Sequence, residues 1–78
     1  MKILFFAQAA DAAGVREWHL PLESGDTGRL WNELLAAFPR LAPMKASIRL
    51  ARNGEYAAAD ERFESGDEVA LIPPVSGG

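Results

Sequence analysis

The alternation of hydrophobic and polar positions predicts strands near both ends of the chain. Residues 2–8 (KILFFAQ) are rich in β-formers, and residues 68–72 (EVALI) make a second hydrophobic run. Residues 15–20 (VREWHL) alternate more strictly, so one face of this strand is apolar and the other is polar. A connection of small residues over 9–14, with a turn at Gly14, would join the first two strands as antiparallel neighbours.

A helical period replaces the strand period in the middle of the chain. After a loop at residues 23–26, the apolar residues recur at the spacing of one helical stripe, formed by Leu30, Trp31, Leu34, Leu35 and Phe38. Polar residues such as Asn32 face away from this stripe. Thr27 is the predicted N-cap, and Pro39 is predicted to end the helix.

A β-hairpin is predicted in the second half of the chain. Residues 47–52 alternate again, with Leu50 directed inward and Arg49 outward. Asn53-Gly54 favours a type I′ turn, because both central residues of that turn need a positive φ. The turn leads into a short strand at residues 55–57.

The order of elements is strand, strand, helix and then three strands, which predicts an α+β fold of the β-grasp (ubiquitin-like) type. A mixed sheet of about five strands would carry one main helix on one face, with the first and last strands as central parallel neighbours. An irregular connection at residues 40–46 and a turn at residues 65–67 complete the path. We expect a β-grasp domain over residues 1–72 and a flexible C-terminal tail over residues 73–78.

Strand parity predicts the side chains on the open face, which is the face of the sheet opposite the helix. If Ile3 and Phe5 face the helix, Phe6 faces the other way, and the same argument directs Ile72 outward. The open face would then carry Phe6, Ile72 and Tyr56. An exposed apolar cluster of this kind marks a binding surface. The alternative is that a loop or the C-terminal tail covers it.

The amino-acid composition excludes several classes of function. The chain has no cysteine, which excludes thiol catalysis, Fe–S clusters and Cys-based zinc, and one histidine is too few for a His-rich metal site. That histidine, His19, lies on the polar face of its strand and is expected to be a solvated residue rather than a base. The eight Lys and Arg residues are scattered in a chain of net charge −3, so no nucleic-acid surface is expected.

Neither a membrane nor a bound nucleotide is expected. The longest strongly apolar run, residues 3–7, is far shorter than the about 20 residues that span a bilayer, and no export signal is recognisable. The chain has no glycine-rich phosphate loop. We therefore expect a cytoplasmic protein with no catalytic site and no bound cofactor of its own.

The C-terminal tail carries the most informative pattern. Apart from its terminal carboxylate it is uncharged, and it consists of Pro73, Pro74, Val75, Ser76, Gly77 and Gly78. The two prolines would end the sheet and stiffen the exit, while the two glycines make a slim end that can thread a narrow channel. A carboxylate is ionised at pH 7 and is a poor acyl electrophile. Chemistry at Gly78 therefore needs activation, for which an acyl-adenylate formed with ATP is the obvious route.

Four segments resemble one protein family over the length of the chain. They are Phe-Phe-Ala-Gln at residues 5–8, Asn53 in the hairpin, Gly-Asp-Glu-Val-Ala at residues 66–70, and the C-terminal tail. In these residues the chain is similar to the small, sulfur-carrier subunits of molybdopterin synthase. The resemblance implies a β-grasp protein whose reactive group is its own C-terminus.

The resemblance also implies partners and a series of reactions. An E1-like adenylyltransferase would use ATP to adenylate Gly78, and a sulfur donor protein would convert it into a thiocarboxylate. The tail would then insert into the large catalytic subunit, in a heterotetramer of two small and two large subunits. Two such sulfurs would convert cyclic pyranopterin monophosphate into the dithiolene of molybdopterin. In the family, the positions of Phe6, Tyr56 and Ile72 contact the large subunit.

The sequence departs from the family pattern at two places. Ala10-Asp11 stands where the family often has an Arg-Glu pair in a loop that contacts the partner. Gly28 occupies a position in the first helical turn that is commonly apolar, at a cost of about 0.5–1 kcal/mol relative to Ala. Neither departure touches the C-terminal tail.

Two alternative functions stay open at this stage. One is a carrier for another sulfur pathway, of the thiamine or cysteine type, and the other is a ubiquitin-like interaction module with a chemically idle tail. Two terminal glycines alone are ambiguous, because Gly makes up about 7% of residues. The Pro-Pro-Val exit at residues 73–75 favours the molybdopterin pathway.

Overall fold

A computed structural model describes residues 1–74 of the 78-residue chain. The elements in chain order are β1 (Lys2–Phe5), α1 (Ala7–Ala13), β2 (Glu17–His19), β3 (Ser24–Asp26), α2 (Thr27–Ala37), a 3₁₀ helix (Pro39–Ser47), β4 (Arg49–Arg52), β5 (Glu55–Tyr56), β6 (Arg62–Glu64) and β7 (Glu68–Ile72). Five strands form one sheet in the order β2-β1-β7-β4-β5, and β3 and β6 form a separate two-stranded ladder. Within residues 1–74, no helix is long and apolar enough to cross a membrane.

The first and last strands lie side by side in the centre of the sheet. β1 pairs parallel with β7, with Ile3 opposite Val69 and Phe5 opposite Leu71. These four side chains are buried on the face that α2 covers. β2 flanks β1 and β4 flanks β7, both antiparallel. The predicted β-grasp arrangement of a mixed sheet under one main helix is confirmed.

Helix α2 covers the sheet with the predicted stripe. Leu30, Trp31 and Leu34 are buried, and Leu34 has no exposed surface. The N-cap is Asp26 rather than the predicted Thr27, because the Asp26 carboxylate accepts a hydrogen bond of 2.8 Å from the backbone N–H of Arg29. A carboxylate is among the best acceptors for the free N–H groups of a first turn, which is why the helix begins one residue earlier than predicted.

The connection predicted over residues 9–14 is instead a helix. α1 begins at Ala7, so β1 ends at Phe5 rather than at residue 8. The segment is rich in alanine, which has the highest helix propensity, and that local preference decides its structure. The predicted turn at Gly14 is present as the helix C-cap, with φ of 79° and its N–H bonded to the carbonyl of Ala10.

The loop predicted at residues 23–26 contains a strand that the sequence analysis missed. β3 pairs with β6, and Gly25 lies opposite Phe63, whose side chain is fully buried. A Cβ at Gly25 would lie 2.9 Å from Cγ of Arg29, so glycine lets this strand approach the helix closely. Each strand has three residues, too few for an alternating pattern to stand out, which is why the ladder was not predicted.

The other turns and connections follow the sequence more closely. Asn53 and Gly54 both have positive φ, of 51° and 89°, as the type I′ prediction requires. Gly66 has φ of 93° in the predicted turn before β7. Residues 40–46, predicted as irregular, belong to the 3₁₀ helix, where Leu41 is fully buried and anchors the segment to the core.

Replacing Leu34 by Ala should open a cavity beneath α2, because this side chain has no exposed surface and belongs to the central core cluster. We expect a loss of about 2–5 kcal/mol in the free energy of unfolding, measured by urea titration. Asn32→Ala, on the exposed side of the same helix, is the matched control and should be nearly silent. Equal losses in the two variants would contradict the packing of α2 on the sheet.

Candidate functional site

The three residues predicted for the open face lie near the end of the sheet from which the chain leaves. Phe6 follows β1, and its N–H donates to the carbonyl of Leu71 at 3.3 Å. Phe6 and Tyr56 are 48% and 59% exposed, and Ile72 at the end of β7 is half-buried. No loop within residues 1–74 therefore covers this surface completely. The side chains point away from α2, in agreement with the parity argument.

Arg49 lies between two of these residues and changes the character of the surface. It is the cross-strand neighbour of Ile72 on β4, and its guanidinium carbon lies 4.1 Å from the centroid of the Tyr56 ring. The sequence pattern directs Arg49 outward, but it gives no indication of this stacking, which depends on the register of two strand pairs. The surface formed by Phe6, Ile72, Tyr56 and Arg49, here called the tail-side patch, is apolar around one cation.

The backbone holds Phe6 in its exposed position. Phe6 itself is extended, whereas Ala7 has a φ of 49°, in the left-handed region. An L-residue in that region costs about 1–2 kcal/mol, so the surrounding structure must hold it there. A hydrogen bond of 3.0 Å from the N–H of Ala9 to the carbonyl of Phe6 closes the turn. The chain therefore leaves the sheet directly after β1, and the Phe6 ring is exposed at the end of that strand.

A groove of about 520 Å³ lies beside Phe6 at the end of β1. It is lined by Leu4, Phe5, Phe6, Ala7, Ala10, Asp11, Arg16 and Glu17. Ala10 and Asp11, where the family often has Arg-Glu, therefore lie on α1 at the groove rather than in a loop. Arg16 provides a cation at the groove from the segment before β2, beside the carboxylates of Asp11 and Glu17.

The base of the C-terminal tail lies at the same end of the sheet. Pro73 is buried and Pro74 is exposed directly after β7. Because β7 is a central strand, the chain leaves from the middle of the sheet next to the end of β1. The other predicted tail residues, Val75, Ser76, Gly77 and Gly78, lie outside the described residues.

A polar cluster around Asp67 lies at the opposite end of the sheet. Asp67 accepts hydrogen bonds from Nε of Arg52 at 2.7 Å, Nδ2 of Asn53 at 3.0 Å and the N–H of Glu64 at 2.8 Å. The N–H of Glu68 in turn donates to Oδ1 of Asn53 at 2.9 Å. These contacts join the β4–β5 hairpin to the turn before β7. Asn53 and Asp67, two residues of the family resemblance, thus have a structural role away from the tail.

Glu61 extends the Asp67 cluster to the segment before β6. Its carboxylate accepts from Nη1 of Arg52 at 3.0 Å and from the N–H of Ala58 at 3.1 Å. The bond from Ala58, followed by that from Arg52, holds the pKa of Glu61 below its ordinary value. Burial raises the pKa of Asp67, but the donors of Glu64, Asn53 and Arg52 outweigh it, so the net shift is downward. The same two carboxylates raise the pKa of Arg52, Asp67 most strongly.

The described residues hold no arrangement suited to metal binding. Among residues 1–74 no group of three His, Cys, Asp or Glu side chains could hold a metal ion. His19 is exposed on β2, opposite Lys2. The geometry therefore offers a surface and an exit for the tail, and its polar cluster serves the fold.

The chain matches known proteins over its whole length. Residues 3–78 match the model of the ThiS family. The chain is 38% identical over 79 residues to the molybdopterin synthase sulfur carrier subunit of Arabidopsis thaliana, covering 100% of this chain and 82% of that protein. It is also 38% identical over 81 residues to the protein of the same name from Chlamydomonas reinhardtii, covering 100% and 98%.

A solved structure supports the fold independently. The crystal structure of SAMP1 from Haloferax volcanii aligns with a TM-score of 0.85 and 35% sequence identity, over 99% of this chain and 97% of that one. In a comparison of sequences, small archaeal modifier protein 1 of the same organism is 37% identical over 87 residues, covering 100% of both proteins. The β-grasp fold predicted from the sequence is therefore shared with an experimentally determined protein.

The Asp67 cluster makes stability depend on pH. Because the pKa values of Asp67 and Glu61 are lowered by folding, the unfolded chain binds more protons than the folded one at acidic pH. Their stabilising contribution is therefore complete above about pH 5 and is lost as the pH falls through the lowered values. We expect the free energy of unfolding, from urea titrations at a series of pH values between about 6 and 3, to fall toward the acid end.

Variants locate this effect in the Asp67 cluster. Asp67→Asn should cost about 1–3 kcal/mol at pH 7, because three part-buried hydrogen bonds lose their charged acceptor, and should make the pH dependence shallower. The control is Glu55→Gln, which should leave the pH dependence unchanged. The Glu55 side chain is exposed on β5 and forms no ion pair among residues 1–74. A pH dependence that is the same in wild type and Asp67→Asn would contradict the assignment.

Proposed function

The chain belongs to the ThiS family, and from that membership we propose that it is the sulfur-carrier subunit of a molybdopterin synthase. The observation that carries the proposal is the full-length match to proteins named as such subunits. Of the residues that carry the family resemblance, Phe5 ends β1 beside the tail exit, Asn53 lies in the β4–β5 hairpin, and residues 66–70 form the turn before β7 and the start of that strand. The thiamine- and cysteine-type pathways are less well supported, because the Arabidopsis thaliana and Chlamydomonas reinhardtii relatives are named as subunits of molybdopterin synthase.

Gly78 supplies the reacting group in this proposal. Its carboxylate is ionised at neutral pH and must be activated before a nucleophile can attack it. In the active site of an E1-like adenylyltransferase, a carboxylate oxygen attacks the α-phosphorus of ATP and pyrophosphate leaves. The product is an acyl-adenylate at Gly78, with AMP as its leaving group.

Sulfur enters at the carbonyl carbon of the adenylate. A donor protein that supplies sulfur at the oxidation level of sulfide forms the new C–S bond, and the C–O bond to AMP breaks. The resulting thiocarboxylate then gives up its sulfur to cyclic pyranopterin monophosphate in the large catalytic subunit. Two transfers provide the two dithiolene sulfurs, and water restores the Gly78 carboxylate. This chain is the sulfur-bearing substrate, while its partners supply the catalytic groups.

The described residues fit this role through the position of the exit. β7 is held between β1 and β4, and the buried Pro73 fixes the start of the tail. A rigid base limits the directions that the tail can take, so less conformational entropy is lost when a partner binds it. Phe6, Ile72 and Tyr56 lie beside that base and provide the apolar surface on which the large subunit would dock.

A second candidate function is favoured by the match to small archaeal modifier protein 1. A modifier role would use the same activated Gly78 but a different nucleophile. A lysine amine of another protein would attack the adenylate, AMP would leave, and an amide bond would join the two chains. The two functions therefore differ in product, a thiocarboxylate in one case and a covalent protein adduct in the other.

Incubation with the E1-like enzyme, ATP and a sulfur donor tests the carrier function. We expect intact-mass measurement to show the change for one oxygen replaced by sulfur. Deleting Gly78, or adding one residue after it, should abolish the change because the terminal carboxylate is then displaced by one residue from the position at which it is activated. Amide-linked adducts in place of the sulfur product would favour the modifier function.

Two controls separate loss of chemistry from loss of fold. Thermal unfolding should show that the shortened and extended chains remain folded, since residues 1–74 are unchanged. Asn32→Ala, exposed on α2, should accept sulfur as well as wild type. Sulfur loading that persists on the extended tail would overturn the carrier proposal.

The docking surface is tested by Phe6→Ala. Because this ring is 48% exposed beside the tail exit, its removal should weaken binding to the large subunit by about 1–3 kcal/mol, measured by calorimetry. The thermal midpoint should change little. Ile72→Ala should weaken binding similarly, with a somewhat larger loss of stability because Ile72 is half-buried.

Leu50→Ala should have the opposite effects on stability and affinity. Leu50 is buried on the helix-facing side of β4, so its truncation should lower stability and leave the affinity of the folded protein unchanged. If Phe6→Ala instead lowered stability without changing affinity, the assignment of the open face as the docking surface would be wrong.

A further inference from the structure

Among residues 1–74, the charges on the open face form ion pairs at one end of the sheet but not at the other. Where β1 begins, Nζ of Lys2 lies 3.7 Å from Oε1 of Glu17 and 3.9 Å from Oε2 of Glu68. Where the tail leaves, Arg49 forms no ion pair with any carboxylate among residues 1–74. Within the part of the chain that the structure describes, the tail-side patch therefore contains a cation with no ion-pair partner.

The stacking on Tyr56 prepares Arg49 for an anion. With its guanidinium carbon 4.1 Å from the ring centroid, Arg49 rests one face on the aromatic ring. The N–H donors of a guanidinium lie in its plane, so stacking leaves the donors at its edge free for hydrogen bonds. Stacking also restricts the side chain, which reduces the entropy lost on binding. The edge of the guanidinium is thus a preformed fork that matches a carboxylate.

Docking on the tail-side patch would remove water from this guanidinium. Its cross-strand neighbour Ile72 and the Tyr56 ring surround it with apolar surface that a partner would cover. A buried charge without a partner is strongly unfavourable, whereas one that meets a carboxylate in good geometry is not. A protein that buries the patch must therefore bring a hydrogen-bond acceptor, and the carboxylate of an Asp or Glu is the side-chain acceptor that also balances the charge.

We propose that Arg49, held over Tyr56 beside the base of the tail, is a specificity-determining residue that binds an Asp or Glu side chain of the large subunit. The inference rests on the proposed function, which supplies the identity of the partner. It adds a polar requirement to an otherwise apolar docking surface. Related small subunits without a cation at this position would then dock less well on the same large subunit.

The experiment measures the affinity of the purified large subunit for three variants at two salt concentrations. Arg49→Gln should bind at least about tenfold more weakly than wild type, because the partner's carboxylate loses its charged donor. Arg49→Lys should recover only part of this loss, since an ammonium keeps the charge but lacks the planar fork. Arg62→Gln is the matched control, an exposed arginine on β6 outside the five-stranded sheet, and should bind within about twofold of wild type.

Salt dependence provides a readout that loss of packing alone would not change. Wild-type affinity should fall as salt is raised, and the fall should be smaller for Arg49→Gln. Equal affinities of Arg49→Gln and Arg62→Gln would overturn the inference. Weaker binding with an unchanged salt dependence would also overturn it, because Arg49 would then act only through packing.

The wild-type measurement separates the two proposals. If the wild-type chain does not bind the large subunit, the proposed function fails, and the inference about Arg49 fails with it. If wild type binds and accepts sulfur while Arg49→Gln binds equally well, only the inference fails. The proposed function and the inference about Arg49 are both supported if Arg49→Gln binds weakly with a reduced salt dependence while Gly78 is still loaded with sulfur normally.

Discussion

The parallel pairing of β1 with β7 is the constraint on which the rest of the structure depends. It joins the two ends of the sequence in the centre of one sheet, and parallel neighbours need a crossover between them. Helix α2 lies on that crossover, and its apolar stripe covers the alternate side chains of both strands. Once those side chains face the helix, the others must face the open side. The exposed Phe6 and the half-buried Ile72 therefore follow from the same pairing that builds the core.

Much of this pairing could be predicted because it depends on local patterns. Hydrophobic runs at residues 2–8 and 68–72, a helical stripe between them and the Asn53-Gly54 turn were sufficient for the β-grasp arrangement. The errors have a common physical origin in short or ambiguous segments. The alanine-rich α1 has no large apolar residue. The β3–β6 ladder depends on contacts between residues far apart in the chain, which three-residue strands do not reveal.

The candidate site, like the fold, could be predicted from the sequence only in part. The exposure of Phe6 and Tyr56 and the outward direction of Ile72 follow from residue type and parity, so these positions could be named from the sequence, whereas the role of the tail stays a prediction. The stacking of Arg49 on Tyr56 depends on the register of two strand pairs, and the Asp67 cluster brings together polar residues from distant turns. Polar residues carry no periodic signal that would indicate such partners. Their contacts could be found only once the strands were placed in three dimensions.

The central position of β7 has a mechanical consequence under the proposed function, in which partners act on the tail. A partner that draws on the tail pulls along the axis of β7, which is bonded to β1 on one side and to β4 on the other. The load is then a shear shared by both ladders, rather than a peeling force that opens one bond at a time. An edge strand such as β5, paired on one side only, would detach far more easily. Under the proposed function, the fold would therefore keep its shape while partners act on its C-terminus.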